Sequence, residues 1–141
     1  MGLESLNLKF QSKENLRNII ERASNIINQD NMKYTIKKDD EYWIDLNLVD
    51  ENILFLRITL SNPTETLLPA LYNLLELLFD NTRGACLCEM TNKIELYSYN
   101  KETEKILEDI FLKLKEKFKS FYGDINAAIG SEEFFERLDS K

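Results

Sequence analysis

The feature that most constrains what this chain can fold into is the order in which its hydrophobic period changes. Leu16, Ile19, Ile20, Ala23, Ile26 and Ile27 recur at the spacing of a single helical stripe. Lys13, Arg17, Asn18, Glu21, Arg22 and Asn25 fill the opposite side. Ser12 offers a capping oxygen in front of that helix, and the polar cluster at 28–31 ends it. The period then falls to two. Tyr34 and Ile36 alternate with polar neighbours. Tyr42, Ile44, Leu46 and Leu48 line one face of the next run, with Trp43, Asp45, Asn47 and Val49 behind them. Leu54, Leu56, Ile58 and Leu60 repeat the apolar face, backed by Ile53, Phe55, Arg57 and Thr59. The turns at 37–41 and 50–52 are too short for crossovers, so these strands pair antiparallel.

A second helical stripe follows: Leu67, Leu68, Leu71, Leu74, Leu75, Leu78 and Phe79. Pro69 has no N–H to give a helix interior, which sets the expected start of regular helix near Thr66. Strands are expected at 85–90 and 94–99, joined by a Thr91-Asn92-Lys93 turn. Asn100 caps a third helix that buries Ile106, Leu107, Ile110, Phe111, Leu114, Phe118 and Phe121, and Gly123 stops it. Ser131, ahead of Glu132 and Glu133, opens one further short helix. The expectation is a single α+β domain over 1–141, with an antiparallel five-stranded sheet, three main helices and the order α-βββ-α-ββ-α.

Composition narrows the function. The chain of 141 residues is 43% hydrophobic, with four Gly and two Pro, so most of it belongs in regular elements around one core. No apolar run approaches the roughly 20 residues that cross a bilayer, and the first residues lack a secretory pattern, so a cytoplasmic protein is expected. A net charge of −7 argues against nucleic acid as a partner. Lys113, Lys115, Lys117 and Lys119 are two apart and therefore spread around a helix instead of forming a basic stripe.

There is no histidine. Cys86 and Cys88 lack the two further Cys or His ligands of a structural zinc site, and read as small core residues beside Met90. A redox role would need an exposed thiol of low pKa. The carboxylate pairs Asp39-Asp40, Asp50-Glu51, Glu108-Asp109 and Glu132-Glu133 read as solvated turns and helix starts. No catalytic, cofactor or metal residue is assigned, and no enzyme activity is expected.

The aromatics carry more information. Trp43 and Phe55 lie opposite the main apolar stripe, and Tyr97 and Tyr99 alternate on the last strand, so the four are candidate partner-binding residues. The alternative is a second core face covered by the third helix. Leu68, Leu71, Tyr72 and Leu75 widen the stripe of the second helix beyond what one sheet requires, which makes them candidate homodimer residues. There the alternative is a helix packed between the sheet and another helix.

The stretch YWIDLNLVDENILFLRITLSNP, the leucine-rich helix after it and then GACLCEMTNKIELYSY resemble the type III secretion chaperone-like fold and the YbjN family. The likeness spans most of the chain in block order and rests on no catalytic motif. It implies a small acidic bacterial dimer that binds another protein, an effector or regulator, without catalysis. Neutralising a toxin as an immunity protein is the competing expectation, because acidity complements a basic toxin.

Overall fold

The computed structural model describes residues 3–140. Seven strands form one antiparallel sheet: β1 (Ser5–Gln11), β2 (Ile26–Asp30), β3 (Lys33–Lys38), β4 (Tyr42–Asp50), β5 (Ile53–Thr59), β6 (Cys86–Glu89) and β7 (Ile94–Leu96). Their order across the sheet is β2-β3-β4-β5-β1-β6-β7. Four helices accompany them: α1 (Leu16–Ile20), α2 (Thr64–Asp80), α3 (Lys101–Tyr122) and α4 (Ser131–Asp139). The α+β class holds. The counts of five strands and three main helices do not.

Both extra strands lie in the first thirty residues. Leu6, Leu8 and Phe10 alternate with Asn7 and Lys9, and β1 pairs Leu8 with Leu56 on one side and with Glu89 on the other. The expected helix over 16–27 is cut to five residues. Asn15, not Ser12, caps it, its side chain accepting from the Arg17 N–H at 3.0 Å. Asn25 takes the left-handed conformation (φ 62°), which breaks the helical path. Ile26 then pairs with Ile36, because the free edge of β3 offers the backbone a ladder that a helix continued over a polar segment would not replace. Arg17 ties α1 to the β2–β3 hairpin by donating to the Asn31 carbonyl and the Tyr34 hydroxyl, both at 2.9 Å.

One face of the sheet is the core. Leu6, Leu8 and Phe10 of β1 join Ile44, Leu46, Leu48, Leu54, Leu56 and Ile58, all essentially without solvent contact. α1, α2 and α3 cover this face through Leu16, Ile20, Leu71, Leu75, Leu107 and Phe111. The Phe10 ring meets Phe79 edge-on, centroids 5.0 Å apart. α2 begins at Thr64 and keeps Pro69 inside it, two residues earlier than expected. Leu68, Leu71 and Leu75 are buried within this one chain, and the Tyr72 hydroxyl donates to the Glu104 carbonyl of α3 at 2.9 Å. The wide stripe of α2 is thus taken up by the sheet and α1, with the half-buried Tyr72 reaching α3, and Leu68, Leu71 and Leu75 are not a surface open to a second copy.

Asn100 and Thr103 form a reciprocal cap at the start of α3. The segment after Gly123 crosses the end of the sheet where β5 finishes, pinned by the Ala127 N–H to the Ser61 carbonyl at 2.8 Å. α4 closes that end. Its Phe134 is buried against Phe118 and Tyr122, with centroids 5.4 and 5.0 Å apart.

Candidate partner-binding face

The sheet's second face is covered at one end by the start of α4 and is otherwise without a helix layer. Register fixes its side chains as rows running across the strands. One row reads Thr35, Asp45, Arg57 and Asn7; the next reads Lys33, Asn47, Phe55, Lys9, Cys88 and Glu95. A groove of ≈ 610 Å³ opens between them, walled by Trp43 and Phe55 and ending at Ser131 and Glu132 of α4. Trp43 and Phe55 are half-buried, Asn47 and Arg57 exposed. Lys37 stands over the Trp43 ring, its Nζ 4.9 Å from the centroid.

The floor is held by hydrogen bonds. Trp43 Nε1 donates to Asp45 Oδ1 at 2.8 Å, and the Thr35 hydroxyl donates to the same oxygen at 3.3 Å. Burial pushes the Asp45 carboxyl above its ordinary range, although both hydrogen bonds and Arg57 pull the other way. Gly130, the residue before α4, lies directly over this pair. A Cβ there would sit 2.8 Å from Asp45 Oδ2 and from Trp43 Nε1, so only glycine lets the helix start so close to the sheet. Glu4 is buried beyond β5, just ahead of β1. Arg57 Nη2 donates to its Oε2 at 2.6 Å and Ser131 Oγ donates to the same oxygen at 3.2 Å. Burial alone would raise the Glu4 carboxyl; the Arg57 guanidinium and Ser5 outweigh it and hold the group below its usual range.

The four aromatics expected to bind a partner do not form one cluster. Trp43 and Phe55 share the groove. Tyr97 stands at the far rim, 68% exposed, its hydroxyl donating to Glu95 at 3.1 Å. β7 ends at Leu96, and Tyr99 turns toward the helices, where its hydroxyl binds Glu104. Burial, and then that carboxylate, raise the Tyr99 pKa. Cys86 and Cys88 are not core residues. Their neighbours Leu87 and Glu89 point inward, while both thiols lie half-exposed on the open face, in a recess of ≈ 340 Å³ lined also by Lys9, Gln11, Met90, Lys93 and Glu95. Alternation alone puts the cysteines on one face, but it does not say which face is inside. The register through β1 decides that.

Another recess, of ≈ 370 Å³, lies between the segment at 22–24 and α2, beside Tyr42 and Asn73. Among the described residues no three His, Cys, Asp or Glu side chains stand together as a metal site, and no helix is long and apolar enough to cross a membrane. No family model, no curated protein and no solved structure matches the chain.

Proposed function

We propose that this chain is a non-catalytic protein-binding module of chaperone or adaptor type, acting in the cytoplasm, with Trp43 and Phe55 as the anchors for its partner. The observation that carries this is the open sheet face: two half-buried aromatics wall a groove of ≈ 610 Å³ and are rimmed by Lys33, Asn47 and Arg57. Partly desolvated aromatics with a polar rim are what binding hot spots consist of, and a seven-stranded sheet presents them without an ordering cost. The resemblance of the stretch from Tyr42 to Tyr99 to type III secretion chaperone-like and YbjN proteins supports the same class. The partner is an effector or regulator protein.

Photo-crosslinking tests this reading. A photoreactive residue replaces Asn47 in the groove or, as a control, Asn73 on the exposed side of α2 in the producing cells. A partner captured from position 47 and not from 73 is the expected result. With that protein purified, Phe55→Ala should weaken binding about tenfold or more. Equal capture from both positions, or unchanged affinity of Phe55→Ala, overturns the assignment.

A further inference from the structure

The aromatic groove is charged against the sign of the whole chain. Lys37 and Trp43 are direct cross-strand partners and form a third row beside the two already described. From β3 across to β1 the three rows carry four cations, Lys9, Lys33, Lys37 and Arg57, against one carboxylate, Asp45. Asp45 is engaged by Trp43 and Thr35, and Arg57 turns its Nε and Nη2 to Glu4. Lys9, Lys33 and Lys37 form no ion pair among the described residues. Four cations less Asp45 and Glu4 leave an excess of two positive charges here, in a chain whose net charge is −7.

We infer that the groove takes an extended acidic segment of the partner protein, with one apolar side chain between two carboxylates at alternate positions. This rests on the protein-binding reading of the face and gives the partner its chemistry. The spacing comes from the row that holds Phe55. Lys33 and Lys9 stand at its two ends, three strand steps apart, with Asn47 and Phe55 between them. At about 4.8 Å per step the two lysines are about 14 Å apart. An extended chain rises about 3.3 Å per residue and points every second side chain the same way, so residues four apart reach about 13 Å. A carboxylate at each end then meets a lysine, and the residue midway meets the Phe55 ring. The exposed amide of Asn47 can both donate to and accept from the main chain of such a segment.

The surroundings favour a short acidic stretch over a long polyanion. Glu132 stands at the α4 end of the groove, and Glu95 follows Lys9 and Cys88 in the same row. A phosphate chain crossing the whole face would run from the lysines onto these carboxylates. Two carboxylates held between Lys33 and Lys9 avoid both. The chain's overall acidity would by itself favour a basic partner, and the groove is where that expectation reverses.

The test titrates the full chain with three short peptides in a Gly/Ser background. One carries aspartate, leucine and aspartate at alternate positions; the other two replace both aspartates with lysine or with serine. Trp43 is the chain's one tryptophan, and its emission reports binding in the groove. The aspartate peptide is expected to bind about tenfold tighter than either control, and to weaken about tenfold between roughly 0.05 and 0.5 M salt. Lys33→Glu should weaken it about tenfold and Lys33→Gln about threefold. Lys117→Glu makes the same change in net charge on the exposed side of α3, and should alter affinity less than about twofold. Equal binding of the aspartate and serine peptides, equal effects of Lys33→Glu and Lys117→Glu, or no binding of any peptide overturns the inference. Tighter binding of an oligothymidylate does the same and assigns the groove to nucleic acid. A partner captured from position 47 through a segment without carboxylates overturns the acidic segment alone, and leaves the protein-binding reading standing.

Discussion

Arg57 and Glu4 show how one residue pair sets the edge of the groove. Glu4 is 2% exposed on its side chain and Arg57 50%, so the pair is half in water and its strength is screened. Arg57→Ala leaves a buried carboxylate held only by Ser131 and its own neighbours. The expected cost near neutral pH is about 1–3 kcal/mol. The pH dependence separates charge from packing. In the parent the Glu4 pKa lies below the ordinary 4.5, so its stabilising contribution is present above 4.5 and is lost as pH falls through the lowered value. Without Arg57, burial acts unopposed by a cation and the anion becomes a liability that acid relieves. The gap between parent and variant should therefore shrink on acidification in denaturant melts. An equal gap at both pH values would mean Arg57 acts only through its packing.

At the scale of elements, strand alternation was the most legible signal and helix termination the least. The apolar rows of β4 and β5, the turns at Asp40 and Lys93, the cap at Asn100 and the stop at Gly123 could all be read from residue types, because each depends on neighbours within a few positions. What misled was the segment from Leu16 to Ile27, where a helical stripe and a strand pattern share the same isoleucines. Pairing with β3 decided between them, and that contact is not local. β1 was legible in the alternation Leu6, Leu8, Phe10 but directly precedes a stronger helical signal. The groove could be read in part: Trp43 and Phe55 were marked by strand parity, whereas Glu4, Gly130 and Ser131 reach it only through the fold. β1 has an energetic counterpart. Phe10→Ala should cost about 3–5 kcal/mol and Leu56→Ala about 2–5, as both side chains are fully buried. Gln11→Ala, exposed at the end of β1, should stay within about 0.5 kcal/mol in the same melts.

For the whole molecule the decisive fact is the strand order. β1 is paired with β5 on one side and β6 on the other, so the β6–β7 hairpin joins the sheet only through the first strand. Deleting residues 3–11 should therefore abolish cooperative unfolding altogether, not merely lower the midpoint. A synthetic peptide of sequence SLNLKFQ, supplied in excess, should restore a cooperative transition to the deleted chain. If the deletion variant still melts in one sharp step, the two parts of the sheet are coupled through the helices instead. The same order imposes a timetable on synthesis. β1 leaves the ribosome first, yet its partners are made more than forty and seventy residues later. β2 to β5 can zip as nearest neighbours while β1 waits, an apolar strand with both edges bare. A ribosome stalled just past β5 would release a chain whose β1 can close one edge and keeps the other open to another nascent chain.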